Sequence, residues 1–202
     1  MGDAVLSLRN DDAPAIAHTC DAGRGAVGAL TGAPRYPDAH AEAVSRLAHQ
    51  VGAALGLSGD DLKALVVGAL VHDIGKLRID ASILRKPAPL TTREWQHIRR
   101  HPDEGAGLLG GVFAESILAV VRWHHERWDG RGYPDALAGD AIPLPARIVA
   151  VADAFRAMLE PRPYRLSVRP PDAAGEILRA SGSQFDPACV DALLSVVGAA
   201  AA

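Results

Sequence analysis

The apolar residues of this chain recur at intervals of three and four from Asp38 onward, the spacing expected for the buried face of a helix. The first stripe consists of Val44, Leu47, Ala48, Val51, Ala54 and Leu55. A second stripe begins at Leu62 and predicts a helix that runs to about Gly75, a residue type typical of helix ends. Ser58 and Asp61 predict a capping box at the start of this second helix.

Prolines and a further cap divide the rest of the chain into additional helices. Pro87 and Pro89 predict a loop, Thr91 and Glu94 predict a capping box after it, and Pro102 closes or kinks the helix that follows. Later elements are expected as a helix over 117–124, a long loop over 126–143, a helix from Pro145, and helices over 172–181 and 187–198. No strand alternation is convincing, so the pattern predicts an all-α fold, a single bundle of about seven or eight helices.

Composition and charge narrow the class of protein. The formal net charge of −3 argues against a general binder of DNA or RNA. Cys20 and Cys189 lie far apart in no metal-binding spacing, which is typical of a reducing compartment. The N-terminus lacks the apolar core of a signal peptide, and no apolar run reaches the roughly 18 residues of a membrane span. We therefore expect a cytoplasmic protein without membrane contact. The chain is expected to consist of an extension over 1–34, with a short helix near 22–33, and one domain over 35–202.

Seven polar residues interrupt the apolar stripes and are expected to face one interior. They are five histidines and two aspartates: His40, His72, His101, His124, His125, Asp73 and Asp153. Each alone is more often a satisfied core or capping residue than a ligand. A buried carboxylate without a counter-charge is costly, however, and Asp153 lies within an apolar stretch. A shared positive centre would satisfy the whole set.

The chemistry of these seven side chains indicates a metal centre. The absence of cysteine argues against a structural zinc site, whereas imidazole with carboxylate suits iron, manganese, zinc, nickel or cobalt. Seven ligands exceed the six positions of one octahedral ion, but two ions that share Asp73 would use them all. We therefore expect two divalent transition-metal ions, iron or manganese first, whose excess positive charge attracts an anion. Two adjacent histidines can reach such a pair from a helix end.

Two motifs carry a family resemblance. The first is the pair His72 and Asp73, followed by Gly75 and Lys76, and the second is HHERWDGRGYP, which runs from His124 to Pro134. Further segments in the same order are KPAPLT, HP at 101–102, IPLPARIVAVADAF, RPYR at 162–165 and GSQFDP at 182–187. Over roughly residues 36–198 the chain resembles the HD-GYP phosphodiesterases, a branch of the HD phosphohydrolase superfamily, most of whose studied members hydrolyse cyclic di-GMP.

The resemblance implies an HD-type helical domain that hydrolyses cyclic di-GMP to linear pGpG or on to GMP. It assigns the seven residues above as metal ligands, Asp73 and Lys76 as catalytic residues, and Lys76, Tyr133, Arg162 and Arg165 as contacts of the substrate. Lys76 lies one helical step from Asp73, where it can neutralise a phosphate. The two arginines offer forked donors to phosphate oxygens, and Tyr133 can stack on a base or donate to phosphate. Ordinary surface arginines and a packed loop tyrosine are the simpler readings.

The chain also departs from the family pattern. Some relatives add a third metal through a glutamate four residues before the first histidine, a position held here by Tyr36, so two metals are expected. Ala88 and Pro161 replace a usual glycine and a frequent aspartate. Two alternatives remain: an HD phosphohydrolase of another nucleotide, and a non-catalytic module that binds a cyclic dinucleotide in signalling. A homodimer or a signalling-protein partner stays open.

Overall fold

The described part of the chain folds into helices joined by turns and loops. The computed structural model describes residues 21, 25, 27–28, 37–160 and 168–199. Within these residues nine α-helices follow one another: α1 Ala39–Ala54, α2 Gly59–Val71, α3 Ala81–Leu84, α4 Thr92–Ile98, α5 His101–Leu109, α6 Glu115–Trp123, α7 Leu144–Leu159, α8 Pro170–Arg179 and α9 Pro187–Ala199. Short 3-10 turns occupy Ile74–Arg78 and Gly139–Ala141.

The predicted all-α fold is confirmed. Eight of the helices have seven residues or more and α3 is a single turn, so the predicted number of helices is confirmed as well. Among the described residues there is no β-strand, only an isolated bridge between Ser181 and Phe185. No helix in this part of the chain combines the length and the apolar composition needed to cross a membrane. The expected helix near 22–33 lies largely outside the described residues. In this region only residues 21, 25, 27 and 28 are described, and all four are helical.

Two apolar clusters pack the helices that carry the seven predicted ligands. The larger one joins α1 and α7 to the C-terminal helices through residues such as Val44, Phe155 and Leu193. The smaller one joins the end of α2 to α5 and α6 through residues such as Ile74 and Val121. The seven predicted ligands belong to helix ends and faces that these clusters hold together.

Two predictions about α2 were wrong. Ser58 precedes the helix, but its side chain makes no capping hydrogen bond. Gly59, the first residue of α2, has a φ of +56°, so the first turn departs from helical geometry, and Asp61 is one methylene shorter than the glutamate of a capping box. The helix also ends at Val71 rather than near Gly75, because the chain changes to the 3-10 turn there. The predicted capping box of Thr91 and Glu94 is confirmed.

Gly75 allows the turn Ile74–Arg78 to lie directly on α5. A Cβ at this position would collide with the carbonyl oxygen of His101 and would lie 2.6 Å from the amide nitrogen of Gly105. No side chain fits between two backbones at this separation. Gly75 therefore brings Asp73 and Lys76, on one segment, against His101 on the other.

Candidate metal centre

Three histidines are oriented by backbone carbonyls at helix ends. His72 and His124 are the C-caps of α2 and α6, and His101 follows the end of α4. Each places Nδ1 against the carbonyl oxygen three residues earlier, at 2.7 Å for His72, 2.8 Å for His101 and 2.9 Å for His124. Carbonyls in the last turn of a helix lack an intrahelical partner and accept such bonds. Nδ1 is therefore the protonated nitrogen, and Nε2 presents its lone pair to the interior.

These lone pairs converge on Asp73. Its Oδ1 lies 3.2 Å from Nε2 of His101 and 3.9 Å from Nε2 of His124, and its Oδ2 lies 3.4 Å from Nε2 of His72. The Nε2 atoms of His101 and His124 are 3.3 Å apart. Because both Nδ1 atoms already donate to carbonyls, these two nitrogens meet as acceptors, which a cation between them would satisfy.

His40 and Asp153 extend the cluster on the side of His72. Nε2 of His40 lies 2.9 Å from Oδ1 of Asp153, and the His40 and His72 rings are 6.0 Å apart. His40 is in the first turn of α1, which begins at the N-cap Asp38, and Asp153 lies on α7. The packing of α1 against α7 thus brings together two side chains that are more than a hundred residues apart in sequence.

The adjacency of His124 and His125 has a structural reason. Both follow the end of α6, their ring centroids are 4.1 Å apart, and the ring of His125 lies 5.0 Å from that of His101. The chain leaves the helix at this point, so neighbouring residues direct both imidazoles to the same centre. Tyr133 stacks on His125 at 4.9 Å with an interplanar angle of 27°. The GYP segment therefore supports the outer face of His125.

The loop that carries Tyr133 is itself anchored. Trp128 donates its backbone N–H to Gln184 at 3.1 Å, and its ring lies under the guanidinium of Arg147 at 5.5 Å. The buried carboxylate of Glu126 accepts from the N–H of Asp135 at 2.7 Å. Trp128 therefore anchors the loop through these contacts.

The charge states of His124, His125 and Asp73 match those that metal ligands require, whereas the effect of burial on His72 is outweighed by the carboxylate of Asp73, which raises the pKa of His72. Burial first, and then the neighbouring histidines, hold the pKa of His124 well below its usual range and lower that of His125 to about 3, so both imidazoles are neutral at pH 7. Burial opposes ionisation of Asp73, yet the neighbouring His72, His101 and Lys76 hold its pKa well below its usual value. The hydrogen bond to Asp153 raises the pKa of His40 to about 9. Metal binding at His40 would displace this proton.

Buried atoms without hydrogen bonds show that a cation fits the centre. Nε2 of His72 and Oδ1 of Asp73 are among the few buried side-chain atoms of the described residues that make no hydrogen bond. Two sets of ligand atoms lie within 4.8 Å of one another: Asp73 with His101, His124 and His125, and Asp73 with His40 and His72. Asp73 belongs to both sets, and Asp153 adjoins the second through His40. The seven residues proposed from the sequence thus meet in one place, as two potential metal positions that share a carboxylate.

A cavity of about 860 Å³ opens above these residues. Its floor includes His72, Asp73 and Asp153, and Lys76 lies at its edge with Nζ 2.5 Å from Oδ2 of Asp73. One wall is apolar and consists of Ile83, Leu84, Pro89, Leu90, Trp95 and Ile98. Such a volume is within the range of about 300–1,000 Å³ for small-molecule sites.

Two of the four predicted substrate contacts lie at the cavity, and the other two lie outside the described residues. Lys76 and Tyr133 both line the cavity. The ring of Tyr133 is occupied by His125, and Arg99 lies 5.2 Å from its centroid, so its hydroxyl is the group that remains for a ligand. Arg162 and Arg165 lie outside the described residues, as does Tyr36.

A family comparison identifies the architecture. The model of the HD domain family matches residues 29–189, which is most of the chain. The chain belongs to the HD domain family. In solved structures this HD domain is similar to a cyclic GMP-AMP specific phosphodiesterase of Vibrio cholerae, with a TM-score of 0.67, 21% identity, and coverage of 89% of this chain and 49% of the other. An HD-GYP protein of Bdellovibrio bacteriovorus gives a TM-score of 0.67 at 18% identity, covering 92% and 64%. The resemblance to HD-GYP proteins is confirmed.

Curated relatives of the HD domain are more similar in sequence. The cyclic di-GMP phosphodiesterase response regulator RpfG of Xanthomonas campestris is 45% identical over 156 residues, 76% of this chain and 41% of that protein. The 3′3′-cGAMP-specific phosphodiesterase 1 of Vibrio cholerae is 45% identical over 132 residues, 64% of this chain and 30% of that protein. The chain thus spans less than half of the length of these relatives.

The sequence reasoning missed several residues of this HD domain site. Glu160 places both carboxylate oxygens at Nδ1 of His40, at 2.9 and 3.0 Å. Its spacing of seven residues from Asp153 on α7 puts both on one helical face, a signal that could have revealed it. Trp95 and Lys86 line the cavity because α3 and α4 lie beside it, and Arg99 contacts the ring of Tyr133 at its edge. No sequence pattern shows which face of such short helices turns inward.

Proposed function

We propose that the chain is a metal-dependent phosphodiesterase that hydrolyses cyclic di-GMP to linear pGpG, with GMP as a further product. The observation that carries this proposal is the pair of ligand sets sharing Asp73 at the floor of the cavity. Two-metal hydrolases hold ions about 3.5–4 Å apart through such shared ligands and act on phosphodiesters. The 45% identity to a cyclic di-GMP phosphodiesterase supports the same assignment.

In this proposal the seven residues hold two divalent transition-metal ions, with iron or manganese favoured by imidazole and carboxylate ligands. One position uses His101, His124 and His125 with Asp73. The other uses His40, His72 and Asp153 with the same Asp73. When bound, such ions polarise the phosphodiester and lower the pKa of water at the site. The chain's own contribution is to hold His72, His101 and His124 inward-facing through the carbonyl contacts at the helix ends, and to keep His124 and His125 neutral through burial.

Lys76 is proposed to neutralise the developing charge on the leaving oxygen. Its Nζ contacts Asp73 at the cavity floor, and its side chain is 40% exposed, so donors remain for a phosphate in the cavity. Burial raises the pKa of Tyr133, which keeps its hydroxyl protonated and able to donate to a phosphate oxygen. Both groups therefore act as donors to an anionic ligand.

The rest of the cavity suits the bases of a cyclic dinucleotide. The exposed ring of Trp95 and the side chains of Leu84 and Pro89 form an apolar surface against which a purine can lie. Lys86 adds a cation at the same wall, although Glu94 pairs with it at 2.7 Å. Arg162 and Arg165 follow α7 closely in the sequence and are proposed as further phosphate contacts.

The test is a turnover assay with protein loaded anaerobically with iron(II) or manganese(II). Cyclic di-GMP, 3′3′-cGAMP and cyclic di-AMP are each incubated with the enzyme, and linear products are separated by chromatography. We expect cyclic di-GMP to be hydrolysed fastest and Lys76→Ala to lose rate while keeping metal. Faster hydrolysis of 3′3′-cGAMP would favour a second candidate activity, which the 45% identity to a 3′3′-cGAMP-specific enzyme supports. Tight binding without turnover by metal-loaded protein would instead indicate a signalling module.

A further inference from the structure

His40 differs from the other histidines of the cluster in what surrounds Nδ1. His72, His101 and His124 donate Nδ1–H to carbonyls at helix C-termini. His40 lies in the first turn of α1, where the backbone groups without a helical partner are N–H donors rather than carbonyls. Its Nδ1–H therefore needs an acceptor from another element.

Glu160 supplies this acceptor. Its Oε1 and Oε2 lie 2.9 and 3.0 Å from Nδ1 of His40, directly after the end of α7. Asp153, two turns earlier on the same helix, contacts Nε2 of the same ring at 2.9 Å. Asp153 on α7 and Glu160 directly after it therefore contact both nitrogens of His40, and the ring cannot rotate without breaking a contact.

We propose that Glu160 is a positioning residue that acts through His40 to strengthen one of the two metal positions. A carboxylate that accepts from Nδ1–H fixes the imidazole and increases the basicity of Nε2, and loss of such a partner weakens metal affinity about 10–100-fold. This inference deepens the proposed function, because it rests on His40 holding an ion. It concerns only the position formed with His72 and Asp73.

A purely structural role for the pair predicts a different result. The side chains of His40 and Glu160 are 20% and 34% exposed, so solvent partly screens the pair and its contribution to folding is modest. A structural role would appear in the stability of the metal-free protein. A positioning role appears in metal affinity and leaves that stability nearly unchanged.

The experiment is calorimetric titration of metal-free protein with manganese(II), without nucleotide, together with thermal unfolding of each metal-free protein. In wild type we expect two ions per chain. In Glu160→Ala one of them should bind about 10–100-fold more weakly while the other keeps its affinity. Glu160→Gln keeps an oxygen that can accept from Nδ1–H, so its loss should be smaller. Glu176→Ala is the matched control, since Glu176 is an exposed glutamate paired with Arg179 on α8.

A double variant tests whether the effect passes through His40. In a His40→Ala background the Glu160→Ala change should cause no further loss of manganese affinity, because its partner is absent. A further loss would show direct ligation by Glu160 and overturn the proposal. So would a single ion in wild type, equal weakening of both ions, or unchanged affinity in Glu160→Ala. If the titration behaves as expected but no cyclic dinucleotide is hydrolysed, the proposed function fails and this inference stands.

Discussion

Replacement of Gly75 by alanine is the sharpest test of how the site is assembled. The turn Ile74–Arg78 approaches α5 so closely that a Cβ at Gly75 would meet the carbonyl of His101 and lie 2.6 Å from the amide nitrogen of Gly105. These are backbone atoms, which cannot rotate away as a side chain can. The turn and the helix must separate to admit the methyl group.

The cost of this separation can be estimated from the contact. Overpacking of a core costs about 1–3 kcal/mol, and the rigid backbone at Gly75 places this case near 3 kcal/mol. In a chain of this size each kcal/mol lowers Tm by about 2–4 °C, so Gly75→Ala should lose about 6–12 °C. The separation also moves Asp73 away from His101, whose facing atoms are 3.2 Å apart, so metal binding should weaken as well.

The assay is thermal unfolding of metal-free protein, which keeps the packing effect apart from ligand binding. Gly107→Ala is the control, since Gly107 lies in the same helix α5 and a Cβ there meets nothing within 4 Å. Alanine at an open helical position should stabilise by about 0.5–1 kcal/mol. A Gly75→Ala protein as stable as wild type, or an equal loss in Gly107→Ala, would refute the reasoning.

Three further outcomes follow from the same contacts. Asp73→Ala should lose most of both metal ions by elemental analysis, because one carboxylate belongs to both ligand sets, and a fully loaded wild type with one or three ions would contradict this. Arg147→Ala should lower the free energy of unfolding in urea by about 3 kcal/mol. In wild type the guanidinium of Arg147 lies 2.7 Å from the buried carboxylate of Asp186, and the substitution leaves that carboxylate without a counter-charge. A loss below about 1 kcal/mol would contradict this prediction. In a Cys20→Ser background, buried Cys189, whose thiol pKa is raised by burial, should resist a thiol reagent at pH 8 until the protein unfolds, and rapid labelling of folded protein would contradict this.

The sequence predicted which residues meet because helical periodicity places side chains. His124 continues the stripe of Val120 and Val121, and those two residues are fully buried. Asp153 lies between apolar residues on α7, so its carboxylate had to face the interior and needed a partner there. Inward direction and the cost of burial were sufficient to group these side chains without knowledge of the packing.

Other features depend on contacts that periodicity does not encode. The choice between Nδ1 and Nε2 depends on which carbonyls lie at the ends of α2, α4 and α6. The end of α2 at Val71 depends on the approach of the next turn to α5, which Gly75 permits. Glu160 meets His40 only because α1 and α7 pack side by side, 120 residues apart in sequence. These are tertiary properties, and local patterns could not reveal them.

The cluster of predicted ligands contains lone pairs and a carboxylate oxygen that find no partner in the folded chain. Nε2 of His101 and Nε2 of His124 face each other at 3.3 Å as acceptors, and Oδ1 of Asp73 beside them makes no hydrogen bond. A proton does not resolve this at His124, since burial and three neighbouring histidines hold its pKa well below the usual range. A divalent cation would accept these lone pairs and offset the carboxylate at once. The apolar clusters therefore close around a centre whose balanced form includes a cation, and this links metal uptake to the stability of the fold.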